Sequence, residues 1–96
     1  MPAYWIAHVT VTDPEKYKAY QALAPAAFGP FGGRFIARGG EAHVMEGPAL
    51  ARHVIIEFPT LQAARACYAS PAYTAARAAR EGAAQVHLLI VDGLPG

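Results

Sequence analysis

The sequence predicts an α+β fold of ferredoxin-like order, βαββαβ, with a four-stranded antiparallel sheet carrying its helices on one face. Three observations point there. Tyr4–Val11 is a strand-like run leading straight into the helix start Thr12-Asp13-Pro14. Arg52–Phe58 repeats that unit, leading into Pro59-Thr60-Leu61, and Arg34–Arg38 and Val86–Val91 supply a return strand for each. Short connections and right-handed crossovers leave few other arrangements of such units, and 96 residues make one domain, spanning 1–96.

The first strand is rich in aromatic and β-branched residues, which fit a pleated surface. Asp13 suits a helix N-cap because its carboxylate accepts an orphan backbone N–H, and Pro14 suits the next position, where a missing donor costs nothing. In the helix that follows, Tyr17, Tyr20, Ala24, Ala27 and Phe28 recur at spacings of three and four, a stripe meant for the sheet. Pro25 predicts a kink or the end of the regular helix. Residues 29–33 turn the chain into Arg34–Arg38, which Gly39-Gly40 closes. Residues 41–51 are read as loop, with His43–Glu46 a short edge strand. After Arg52–Phe58, Thr60 caps a helix from Leu61 to about Ala69. Ser70-Pro71 reads as a fresh cap and first position for a helix over Ala72–Glu81, which Gly82 ends. Val86–Val91 is the last strand.

Composition narrows the function. A net charge of +1, with Lys and Arg never clustered beyond pairs, gives no field for nucleic acid. No apolar run approaches the roughly 20 residues that cross a bilayer, and the start of the chain has no basic-then-apolar leader, so a cytoplasmic protein is expected. The lone Cys67 excludes an internal disulfide and CxxC metal spacing. A chain this short buries only about 60 to 65% of its unfolded surface, which favours association. The hydrophobic share of 54% comes largely from alanine, as expected for closely packed helices.

Alternation splits each strand into two faces. Trp5, Ala7, Val9, Val11, Phe35, Ala37, Val54, Ile56, Phe58, Val86, Leu88 and Ile90 form a wholly apolar set, which must lie beneath the helices. The other set is mixed: Tyr4, Ile6, His8, Thr10, Arg34, Ile36, Arg38, His53, Ile55, Glu57, His87, Leu89 and Val91. A water-facing sheet surface does not carry so many large aliphatics. A second copy of the chain, applied face to face about a twofold axis, is the economical cover, so the partner expected is the chain itself.

The series Val11-Thr12-Asp13-Pro14 with Tyr17 and Tyr20, Gly32-Gly33-Arg34-Phe35, Arg38-Gly39-Gly40, Met45-Glu46-Gly47, Ile56-Glu57-Phe58-Pro59 and Tyr68-Ala69-Ser70-Pro71-Ala72-Tyr73 resembles the bacterial "domain of unknown function 1330" family of the dimeric α/β-barrel superfamily. The resemblance implies a ferredoxin-like protomer and a barrel closed by two facing sheets. It implies no reaction, since the wider superfamily holds small oxygenases, haem-degrading enzymes, isomerases and stress-response proteins.

Two constellations can carry chemistry. One is polar and on the mixed face: His8 and Thr10 on the first strand, His53 and Glu57 on the third, and Arg34 and Arg38 on the second, in which a histidine near a carboxylate acts as general base and an arginine fork holds an enolate or carboxylate oxygen. Its plainer reading is mutual satisfaction of these groups across a dimer interface. The other is Tyr17, Tyr20, Tyr68 and Tyr73 with Arg77, a ligand-binding group of phenols between helices and sheet. Its plainer reading is core packing with hydroxyls at the rim. No metal and no cofactor is expected: His8, His53 and His87 come from separate strands without a ligand spacing, and Gly29–Gly33 precedes a strand rather than a helix. The reading is a homodimer that binds a small organic molecule. Whether it turns that molecule over, as a cofactor-independent oxygenase or isomerase type of enzyme, or only binds it or serves as a structural dimer, the residues leave open.

Overall fold

The computed structural model describes residues 1–95. Strand β1 (Ala3–Val11) leads into helix α1 (Pro14–Phe28), a 3-10 turn at Gly29–Phe31, and strand β2 (Arg34–Arg38). After a long loop come β3 (Arg52–Phe58), α2 (Leu61–Ala69), α3 (Pro71–Ala79) and β4 (Ala84–Asp92). The sheet order is β2-β3-β1-β4, with every neighbouring pair antiparallel. This is the ferredoxin-like order that the sequence predicts.

The caps form as expected. Asp13 accepts from Lys16 N at 3.1 Å, Thr60 from Ala63 N at 3.0 Å, and Ser70 from Tyr73 N at 3.2 Å. Each satisfies one of the donors that a helix start leaves unpaired. Ser70 also donates to Cys67 O at 2.6 Å, so one hydroxyl ends α2 and starts α3.

Three expectations give way. Pro25 neither ends nor interrupts α1, which continues to Phe28. The carbonyl it leaves without a donor is that of Gln21, which lies on the exposed side of the helix. His43–Glu46 forms no strand: the whole stretch is exposed, Met45 is 86% exposed, and the outer edge of β2 is left unpaired. β4 begins two residues early, at Ala84, because Ala84 and Gln85 pair with Val11 and Thr10.

The core lies between helices and sheet around Trp5. Its ring meets Phe28 at 5.2 Å and Tyr73 at 4.8 Å edge-on, and stacks on Phe58 at 5.8 Å. Ala24, Ala27, Ala64 and Ala76 are buried, and their small side chains let α1, α2 and α3 approach the sheet and one another. Gly33 has the same purpose: a Cβ there would sit 2.8 Å from the Phe58 ring. Among the described residues no helix is long and apolar enough to cross a membrane.

On the helix-free side Ile6 and Ile55 are half-buried, while Leu89 and Val91 stay 50% and 44% exposed. The aliphatics on that side are real, and among the described residues no helix lies over Leu89 and Val91.

Candidate functional site

Between β2 and β3 the ladder runs Arg34 opposite Glu57 and Phe35 opposite Ile56, then skips to Ala37 opposite Ile55 and Arg38 opposite Val54. Ile36 is the extra residue of a β-bulge, and such a bulge reverses the faces of everything beyond it. Ala37 therefore moves to the helix-free side and Arg38 to the helix side. Simple alternation predicts the reverse for both, and the structure corrects it.

The turned Arg38 stacks its guanidinium over the Phe35 ring at 4.2 Å and borders a cleft between α1 and the sheet. Tyr17, Tyr20 and Gln21 line it from α1, Trp5, Val54 and Ile56 from the sheet, and Arg52 from the start of β3. The cavity volume is about 50 Å³, room for a few waters, with Arg38 and Gln21 exposed at its margin. Gly39 follows at φ +69°, where a Cβ would press to 3.0 Å on the Arg52 guanidinium, so glycine lets Arg52 lie against the turn.

The two phenols of the cleft are held neutral. Burial raises the Tyr17 pKa, with the nearby Arg52 and Arg80 charges opposing it. Burial raises that of Tyr20 further, and the Tyr73 phenol, 2.8 Å from it between oxygens, adds to the effect. Both are hydrogen-bond donors at any physiological pH. Among the described residues no Asp, Glu or His side chain lines the cleft. It can hold an anion through Arg38 and Arg52, but it contains no ordinary base.

The other two tyrosines lie elsewhere. Tyr73 is fully buried behind Tyr20, so only its neighbours reach open space. Tyr68, stacked beneath Arg77 at 4.5 Å and accepting from its Nη1 at 3.1 Å, faces a separate groove between α3 and β4. The four tyrosines are thus contiguous through their rings but open onto two sides of the molecule.

On the helix-free face His8 and His53 stand opposite each other in register, their Nδ1 atoms 2.8 Å apart, one donating and the other accepting. His87 lies opposite His8 on the other side. Glu57 is engaged by Arg34, with Arg34 Nε donating to its Oε1 at 2.9 Å. The polar groups of this face are therefore largely satisfied within one protomer, and Arg38 is not among them. Among the described residues no three His, Cys, Asp or Glu side chains converge where a metal ion can sit. Cys67 is buried, with its thiol pushed up to about 11 by desolvation, so it offers no nucleophile.

Sequence reasoning missed Arg52 and Gln21. Arg52 shares the parity of Val54 and Ile56, which places it with the helix-side set, so its position was readable. Gln21 sits one residue past Tyr20 on α1 and carried no signal.

A family model described as "Domain of unknown function (DUF1330)" matches residues 2–94. No curated protein matches the chain. Among solved structures, a protein of unknown function from Rhodopseudomonas palustris is 22% identical, with a TM-score of 0.77, over 99% of this chain and 84% of that one. SnoaB, a cofactor-independent oxygenase from Streptomyces nogalater, is 16% identical, with a TM-score of 0.65, over 99% and 95%. A dimeric protein of unknown function and ferredoxin-like fold from Bacteroides fragilis is 10% identical, with a TM-score of 0.64, over 96% of each chain. At these identities the structural likeness establishes the shared fold.

Proposed function

The chain belongs to the DUF1330 family, and on that footing we propose that it is a bacterial cytoplasmic homodimer that binds a small organic acid, enol or phenol in the cleft beneath α1. The observation that carries this reading is the bulge at Ile36, which brings Arg38 to the cleft that Tyr17, Tyr20 and Arg52 already line. Two guanidiniums there hold an oxyanion by charge-assisted hydrogen bonds, and the neutral phenols donate to a second oxygen. Because no carboxylate or imidazole lines the cleft, the ligand class that fits is acidic on its own account. Turnover, in this reading, acts on the electron-rich anion so held. The fold likeness to a cofactor-independent oxygenase supports that form of chemistry over one needing a resident metal.

His8, His53 and Glu57 belong, in this proposal, to the dimer interface rather than to the reacting centre. The exposed Leu89 and Val91 beside them support a facing copy, as does the dimeric state of the Bacteroides fragilis neighbour. The small cavity favours a second reading, a structural or non-catalytic dimer, because 50 Å³ admits an aromatic acid only after Arg38 or Gln21 moves aside.

A thermal-shift screen of small aromatic carboxylates and phenols decides between them. Under the binding reading at least one compound raises the wild-type Tm by several degrees, loses that effect in Arg38→Ala and Arg52→Ala, and keeps it in Arg34→Ala. A screen without a hit, or hits indifferent to Arg38→Ala, leaves the structural dimer.

A further inference from the structure

The groove between α3 and β4 is a larger concavity than the cleft, with a volume of about 600 Å³. Arg77 and Arg80 line it, one turn apart on α3 and just beyond its end. The side-chain ion pairs among the described residues are Lys18–Glu15, Arg34–Glu57 and His43–Glu41, and neither of these two arginines takes part. Their guanidiniums rest instead on aromatic rings, Arg77 over Tyr68 and Arg80 over Tyr20 at 4.9 Å. The Nε of each is shielded from solvent and donates to nothing. A desolvated donor without an acceptor is unfavourable, and more so where it is charged. The groups facing the groove are not all cationic: Glu81 lines it too, though it is exposed and its main-chain oxygen is held by Lys16 Nζ. With Lys16 at that end, positive charge is in excess.

The floor has the opposite character. Ala84, Val86 and Leu88 point to the helix side from the edge strand β4, where helix cover runs out and leaves Val86 and Leu88 half-buried. At 3.3 Å per residue, Ala84 to Leu88 makes an apolar strip about 13 Å long. A second concavity shares Tyr68 and Leu88 and extends the trough toward Leu61.

We infer that this groove is a binding site for an amphipathic monocarboxylate, its head on Arg77 and Arg80 and its medium-length apolar tail along Val86 and Leu88. The groove and the Arg38 cleft have separate linings, although Arg80 touches the cleft residue Tyr20 and lies 3.5 Å from the Tyr73 hydroxyl behind it.

Decanoate is the probe, with decanol and acetate as the tail-only and head-only controls, followed by calorimetry and by methyl NMR of the wild-type protein. Decanoate binds with saturation and shifts the Val86 and Leu88 methyl resonances while leaving those of Val9 and Val54 in place. Its Kd weakens tenfold or more in Arg77→Gln and in Arg80→Gln and is unchanged in Arg38→Ala. The NMR arm needs no variant, so it decides even if an arginine replacement disturbs α3. The inference is overturned if decanol matches decanoate, if neither binds, or if the shifts fall on Val9 and Val54 with a loss of affinity in Arg38→Ala. That last result would move the ligand into the cleft.

Discussion

Leu89→Asp tests directly whether a second copy covers the helix-free face. Leu89 lies on the helix-free side of β4, opposite Ile6, and half of its surface is exposed in the single chain. Burying a whole leucine side chain is worth about 1.5 to 3 kcal/mol, so the exposed half contributes about 1 kcal/mol on association. A twofold axis counts it in both copies, giving about 2 kcal/mol. Placing a carboxylate there adds a desolvation penalty in each copy, and several kcal/mol is the ordinary effective cost of burying an unpaired charge. The sum is at least about 4 kcal/mol, roughly a thousandfold in dissociation constant. Sedimentation equilibrium over a wide concentration range reads this out, with the wild type near twice the 10.2 kDa chain mass and the variant near one chain. Far-UV circular dichroism should not change, because the substituted side chain supports no core contact. Leu23→Asp, on the exposed side of α1 at 46% exposure, should leave the dimer intact. A wild type that sediments as a monomer at 100 µM (about 1 mg/ml), or a Leu89→Asp protein that dissociates no more readily than wild type, refutes the facing-sheet argument.

Gly33→Ala should destabilise the protein by about 1 to 3 kcal/mol in a urea titration, since its methyl meets the Phe58 ring at 2.8 Å and the ring is locked against Trp5. Thr60→Ala should cost about 1 kcal/mol by removing the hydroxyl that accepts from Ala63 N, with the Tm as readout. The Cys67 thiol, raised from 9.0 to about 11, is held protonated more tightly by the folded state; its contribution is complete below pH 9 and disappears as pH rises through about 11. Two pH units amount to about 3 kcal/mol, so urea midpoints should fall over that window by more in the wild type than in Cys67→Ala.

How far the sequence could be read depends on what each feature rests on. The faces of β1, β3 and β4 follow from period-two alternation alone, and burial of Trp5, Val9, Ile56 and Phe58 matches it. Helix starts follow from local chemistry at Asp13, Thr60 and Ser70, and these formed where the residues said. The mixed face announced itself through Ile6, Ile55, Leu89 and Val91, because aliphatics among charges are unusual on a solvated sheet. What failed was non-local. His43–Glu46 has strand-like residues but stays exposed and does not add to the open edge of β2, which composition does not disclose. Tyr73 belongs to the same tyrosine cluster as Tyr17 and Tyr68, yet only packing shows that it is fully buried while Tyr20 and Tyr68 line two different concavities. The face of Arg38 depends on how β2 registers with β3, a property of neither segment alone.

That last point can be put to experiment by deleting Ile36. If β2 were a regular strand, Arg38 would face away from the helices in the wild type, and removing one residue between Arg34 and Arg38 would turn it toward them. A ligand response dependent on Arg38 would then appear only in the deletion variant. In the bulged register Ile36 is the unpaired residue, so its removal leaves Ala37 opposite Ile55 and Arg38 opposite Val54. The same compounds should then stabilise wild type and deletion variant alike, and Arg38→Ala should abolish the effect in both. The deletion itself should be cheap, on the order of 1 kcal/mol, because Ile36 is 47% exposed and makes no ladder pair. A response gained on deletion would return Arg38 to the company of His8, His53 and Glu57, and with it the polar constellation on the helix-free face.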